Sequence, residues 1–205
     1  MRLLVFAHKL EAKPFIDHLQ LSKEGSFRNL YVQRKKQKTP VLLTYTGEGI
    51  WSALSHLSHL LGYCQINSTT VSLPTEIHNL GVCGSLSEHL HLAEIVRISQ
   101  CKIESTPFAH PSGRIFEVSS PENRYCISSL ERVLEPHYAD SLRSQADVVD
   151  REAWGLAYSA NRWKIPFYCT KIISDKAGQN SHCNDVKQKS AQLMTSLFDY
   201  YISNF

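Results

Sequence analysis

The sequence predicts an α/β fold around a mixed, largely parallel sheet. The apolar period switches repeatedly between two residues and about 3.6, so strands and helices alternate along the chain. The run "IPFYCTKII" at 165–173 is continuously apolar, as a strand buried on both faces must be. Several strand-like segments end in small or charged residues, where ligands bind in such folds. With 205 residues, no repeat, no low-complexity linker and no composition shift, one domain is expected over 1–205.

Residues 2–7 read as the first strand. Residues 11–21 read as a helix in which Phe15 and Leu19 share a face. Residues 27–33 and 40–46 form a strand pair around the basic run "RKKQK" at 34–38, which reads as a solvated hairpin turn. The "GEG" at 47–49 ends the second of these strands. Ile50, Leu54, Leu57 and Leu61 give 50–62 helical spacing. "EIHNLGVCGSL" at 76–86 begins as a strand and is expected to end in a small-residue turn. Residues 93–103 and 114–118 supply further strands. Residues 122–145 are the least legible stretch, read as a short strand and a partial helix. Residues 150–162 are predicted as a helix, 165–173 as the buried strand and 183–203 as a closing helix.

Composition narrows the function classes. A net charge of +3 with one short basic run gives no nucleic-acid footprint. No apolar run approaches the roughly 20 residues of a membrane span. "MRLLVFA" is too short for a signal peptide and is followed at once by His8, Lys9 and Glu11. The six cysteines (64, 83, 101, 126, 169 and 183) are scattered and lack CxxC spacing, which suits free thiols in a cytoplasmic protein. His56/His59 and His89/His91 are pairs without a third ligand nearby, so neither a metal nor another cofactor is expected.

The strand ends nominate four places for a site: Ala7–Glu11, Thr46–Gly49, Gly81–Ser85 and Ser174–Asp175. Three acids stand at or beside them. Asp175 leaves the most apolar strand, where desolvation raises a carboxyl pKa and prepares it to donate a proton. Glu152 is expected in the first turn of a helix, kept ionised by the helix dipole and able to grip two neighbouring hydroxyls. Glu11 opens the first helix and is placed to activate a water. Together they suit cleavage of a glycosidic bond through an oxocarbenium-like transition state. Each acid taken singly also reads as a helix cap, and the residues alone leave both readings open.

The stretch "VVDREAWGLAYSANRWKIPFYCTKIISDKAG" at 148–178 resembles the signature of the nucleoside phosphorylase and nucleosidase superfamily. That pattern runs valine, acid, methionine, glutamate, alanine, a helix, "(V/I)PF", a strand, then arginine or lysine ending in "ISD". The resemblance is strongest to 5′-methylthioadenosine/S-adenosylhomocysteine nucleosidases and futalosine hydrolases. "LLVFAHKLEAKPF" resembles the first strand with its catalytic glutamate, "LTYTGEGIWSAL" the "SGIGKVNAA" segment, and "NLGVCGSL" the "NTGSAGGL" segment. The resemblance implies a three-layer α/β/α sandwich, a homodimer and a small purine nucleoside as ligand. It implies that Glu11 activates the attacking water, that Glu152 holds the ribose 2′- and 3′-hydroxyls, and that Asp175 protonates the purine N7 with Ser174 in support. Cys83 and Gly84 would line the site through their backbone.

Departures from the pattern carry information of their own. Val82 stands where the family has serine or threonine. Asn79 stands where related phosphorylases carry arginine, which favours water over phosphate as the nucleophile. No "SGDxF" segment is present. "CISSLERV" at 126–133 occupies its place, leaving the base pocket open or closed by Phe108 or Tyr125. Arg151 replaces the methionine that packs on the 5′ substituent. A guanidinium there suits a carboxylate, so Arg151, with His8 or Lys9, is expected to select an acidic 5′ group. Futalosine and 6-amino-6-deoxyfutalosine carry a carboxyphenyl group on that side, which would place the reaction on a route to menaquinone. The alternatives are methylthioadenosine/S-adenosylhomocysteine hydrolysis, phosphorolysis, a non-catalytic nucleoside-binding module, and an Arg151 that points away to Asp147 or Asp150.

Overall fold

Strand β1 (Arg2–Phe6) shows why the chain folds in layers. Leu3 and Val5 join one buried cluster and Leu4 and Phe6 another, so the strand is apolar on both faces and both must be covered. Helices α2 (Ile50–Ile66) and α4 (Ala153–Arg162) cover the first face with Ala53, Leu57, Leu61, Leu156 and Ala160. Helices α1 (Lys9–His18) and α5 (Cys183–Asn204) cover the second with Ala12, Phe15, Leu197 and Tyr201. The result is the expected three-layer α/β/α sandwich. These relations come from a computed structural model that describes residues 1–33, 40–68, 71–104, 115–120, 122–179 and 183–205. The basic run at 34–38 and Phe108 lie outside the described residues.

The sheet is mixed. β1 lies parallel to β4 (Val41–Tyr45) and β5 (Glu76–Ser85), and β5 lies parallel to β11 (Phe167–Lys176). β2 (Leu21–Lys23) and β3 (Leu30–Gln33) extend one side antiparallel to β4. β6 (Ile95–Ile98) runs antiparallel to β11. On the other side follow β10 (Val148–Asp150), β9 (Tyr125–Ser128), β7 (Gln100–Ile103) and β8 (Ile115–Glu117). Helix α3 (Pro136–Arg143) packs beyond β9 and β10 through Ala139 and Leu142.

β5 positions the site. One edge pairs with β11 throughout, while the other pairs with β1 through Asn79 and with β10 from Gly84. Between Leu80 and Cys83 that second edge has no strand partner among the described residues. The sheet therefore splits at the carboxyl end of β1, a topological switch point where ligands bind.

The expected turn at the end of 76–86 is corrected: β5 continues through Ser85. Its glycines mark close approach instead, since a Cβ on Gly84 would touch Ala177 and Val149 at 3.4 Å. Helix α4 begins at Ala153, three residues later than expected, because Asp150 still belongs to β10. The partial helix expected within 122–145 is α3, and the short strand is β9.

Candidate active site

The split in the sheet opens into a cavity of about 470 Å³, a size suited to a small organic ligand. All nine residues singled out from sequence line it: His8 and Glu11 from the start of α1, Val82, Cys83 and Gly84 from β5, Arg151 and Glu152 from the β10–α4 turn, and Ser174 and Asp175 from β11.

Glu11 is buried at 4% exposure, and both its oxygens are fixed by backbone donors. The Val82 N–H donates to Oε1 at 3.1 Å and the His8 N–H to Oε2 at 2.9 Å. Position 82 thus reaches Glu11 through its backbone N–H rather than its side chain. A Cβ on Gly81 would stand 3.1 Å from Glu11 Oε1, so glycine there leaves room for the carboxylate. Gly81→Ala is expected to displace Glu11 and lower turnover by roughly 10–100-fold. Steady-state kinetics of a variant with an unchanged melting temperature checks this.

Asp175 owes its setting to a β-bulge. The β11–β5 register pairs Ile173 with Cys83 and Asp175 with Gly84, leaving Ser174 as the extra residue. Adjacent side chains on a regular strand point to opposite faces. Here the bulge lets the Ser174 hydroxyl lie 2.6 Å from Asp175 Oδ1 and 3.2 Å from the Cys83 carbonyl oxygen.

Glu152 is the residue immediately before α4, and its Oε1 accepts the Gly49 N–H at 2.8 Å. The expectation that the helix dipole keeps it ionised is corrected. Burial, then the charge of neighbouring Asp150, push its carboxyl up to about 8 against the pull of Lys171 and the Gly49 N–H. Asp150 provides the helix cap, accepting the Ala153 N–H at 2.9 Å. It also accepts the Ser128 hydroxyl at 2.6 Å and pairs with the buried Lys171 at 2.8 Å.

Arg151 does not turn away to Asp147 or Asp150. Asp147 faces Arg124 and the Tyr125 N–H, and Asp150 is taken by Lys171. Arg151 Nη1 donates to Glu48 Oε1, and Nη2 donates to the Leu130 carbonyl at 3.0 Å. Arg132 holds the same carboxylate from both sides, Nε to Oε1 at 2.9 Å and Nη2 to Oε2 at 3.0 Å. His8 Nε2 stands 3.9 Å from Glu48 Oε2. Burial alone would raise the Glu48 carboxyl, but the bonds from Arg132 and Arg151 outweigh it and hold it below the ordinary value.

The sequence nominated the Thr46–Gly49 segment without singling out Glu48, and it gave no role to Arg132; both line the cavity. The glycines flanking Glu48 were a usable signal for it; Arg132 offered none. Tyr125 does not close the pocket. It begins β9, at the opposite end from cavity-lining Ser129, and its ring lies 4.3 Å from Lys102 Nζ. Among the described residues the lining contains no phenylalanine, tyrosine or tryptophan; its apolar side chains include Leu10, Val133 and Leu134.

Solved structures of the same fold include the 5′-methylthioadenosine/S-adenosylhomocysteine nucleosidase of Helicobacter pylori bound to butyl-thio-DADMe-Immucillin-A. It is 15% identical with a TM-score of 0.81, covering 98% of this chain and 96% of that one. The corresponding nucleosidase of S. pneumoniae, bound to the transition-state inhibitor MT-ImmA, is 14% identical with a TM-score of 0.79, covering 98% and 96%. The futalosine hydrolase of H. pylori strain 26695 is 16% identical with a TM-score of 0.75, covering 97% of each chain. The chain has a nucleoside phosphorylase/nucleosidase-like fold. No family model and no curated protein sequence matches it. Within this nucleosidase-like fold the cavity sits at the sheet's switch point and collects Glu11, Glu152 and Asp175 from three separate elements.

Proposed function

We propose that the chain hydrolyses the N-glycosidic bond of a purine nucleoside modified at its 5′ position. The convergence of Glu11, Glu152 and Asp175 on one cavity carries this reading. With Ser174 bound to Oδ1, Asp175 keeps Oδ2 to deliver a proton to the purine N7. The base then leaves as a neutral purine and the ribose takes oxocarbenium character. Glu11, each oxygen anchored by one N–H, retains lone pairs to orient a water and accept its proton as the water oxygen bonds to C1′. Glu152 accepts hydrogen bonds from the ribose 2′- and 3′-hydroxyls. Water is favoured over phosphate because Asn79 stands where related phosphorylases carry arginine, and its amide is spent inside the sheet on the Val5 carbonyl.

The favoured substrates are futalosine and 6-amino-6-deoxyfutalosine, supported by two guanidiniums at the cavity. Methylthioadenosine or S-adenosylhomocysteine is the second reading, favoured by apolar Leu10, Val133 and Leu134. A base-release assay on these four nucleosides and inosine tests the proposal. Faster release from the two futalosines supports it, and release from inosine alone sinks the 5′-modified reading.

The buried Glu152 carboxyl adds a pH signature. With its pKa near 8 in the free protein, the ionised form that accepts both ribose hydroxyls predominates only above about 8. kcat/KM is therefore expected to rise with pH and level off above that value. Glu152→Gln is expected to lower kcat/KM by about 10–100-fold and flatten the limb, since bonds to a charged acceptor become neutral ones. A limb that persists in the variant belongs to another group.

A further inference from the structure

The ion cluster at the mouth of the cavity is unusual in composition. Two guanidiniums, with a histidine beside them, surround one carboxylate, and all four residues line the cavity. Glu48 is held as a ligand carboxylate would be, gripped by both arms of Arg132 and again by Arg151. The bidentate Arg132–Glu48 pair and its extension to Arg151 form a charge network that supports the loop. Its place on the cavity wall sets the same guanidiniums beside the ligand space. Arg151 Nε is in addition a buried donor with no acceptor among the described residues.

Glu48 is placed to leave. Its side chain is 30% exposed, on a loop whose flanking Gly47 and Gly49 both have positive φ, at 88° and 98°. Only glycine adopts that geometry readily. The loop does not depend on the Glu48 ion pair alone, because the Gly49 N–H is tied to Glu152. Rotation about the side-chain bonds of Glu48 would expose both arginines while the loop stays in place.

We propose that Glu48 is a built-in occupant of a carboxylate subsite formed by Arg132 and Arg151, and that a nucleoside bearing a carboxylate on its 5′ substituent displaces it on binding. The orientation of the ligand rests on the nucleosidase reading above, with Glu152, the neighbour of Arg151, holding the ribose. A ligand without the acid leaves Glu48 in place. Glu48 then neutralises the arginines and spares the complex a cluster of unpaired cations. Arg132 and Glu48 thereby become specificity determinants together with Arg151.

The test compares 6-amino-6-deoxyfutalosine with its methyl ester, which lacks the charge and adds one methyl group. Each variant is read as a change in the acid-to-ester ratio against the unaltered protein, so the fixed difference in size cancels to first order. Glu48→Gln removes the competing carboxylate and is expected to raise the acid-to-ester ratio of kcat/KM about tenfold. Arg132→Met is expected to lower that ratio by a similar factor. The second variant decides the matter should the first not fold. Unmoved ratios in folded variants, or a ratio that falls in Glu48→Gln, overturn the subsite while release of base from the ester leaves the nucleosidase reading standing. No binding or cleavage of acid, ester or methylthioadenosine by the unaltered protein overturns both.

Discussion

Asp175→Asn is expected to lower turnover by about 10²–10⁴-fold, the usual contribution of a positioned general acid. Nucleoside affinity should change far less. A purine is a poor leaving group until N7 gains a proton, and the need for that proton arises as the glycosidic bond stretches. An amide of the same shape keeps the bond with Ser174 but has no acidic proton to give. The loss therefore falls on kcat rather than on binding. Single-turnover rates and a calorimetric titration with substrate separate the two. Near-normal turnover in the variant would remove Asp175 from the role of acid.

Lys171→Met is expected to cost about 3–5 kcal/mol of stability, the penalty for leaving a buried charge without its partner. Lys171 is 2% exposed and its ammonium lies 2.8 Å from Asp150 Oδ2. Burial alone would lower the lysine pKa, but the Asp150 charge outweighs it and holds the group protonated. Asp150 caps α4 and bonds to Ser128, whose oxygen in turn accepts the Trp154 N–H at 2.9 Å. Loss of the cation therefore strains the turn that presents Arg151 and Glu152. Lys171→Met combined with Asp150→Asn should recover part of the loss, because the buried charge is then gone from both sides. Denaturant unfolding of the single and double variants measures this. A double variant no more stable than the single one would contradict it.

The same network sets a pH trend in stability. Glu152 has a folded pKa of about 8 against an ordinary value of 4.5. A folded pKa above the unfolded one means the native state holds the proton more tightly. The stabilising contribution is full below about 4.5 and is lost as pH rises toward 8. Unfolding of the ligand-free protein across that window, repeated on Glu152→Gln, reads the contribution directly: the variant should lack it.

Much of the fold was legible because apolar periodicity reports directly on burial. The strand at 165–173 and the closing helix reflect that rule. Glu11, Glu152 and Asp175 were legible because a charge beside an apolar strand end has few reasons to be there. What escaped was decided by tertiary proximity. Glu48 meets Arg132 across 84 positions and Arg151 across 103, distances over which sequence pattern carries no signal. The ionisation of Glu152 was misread for a related reason: local sequence shows a helix start, whereas burial beside Asp150 decides the outcome. The end of β5 read as a turn because "GVCGS" is rich in small residues. In the fold those residues admit Glu11, Val149 and Ala177 against the strand.

The central claim is that water, guided by three carboxyl groups, cuts a nucleoside at C1′. Its most direct test is product analysis in ¹⁸O-labelled water without phosphate, using 6-amino-6-deoxyfutalosine and methylthioadenosine. The account predicts free adenine and one ¹⁸O atom on the anomeric carbon of the released ribose derivative. Release of base only after phosphate is added, with a ribose 1-phosphate product and no label at C1′, would contradict it.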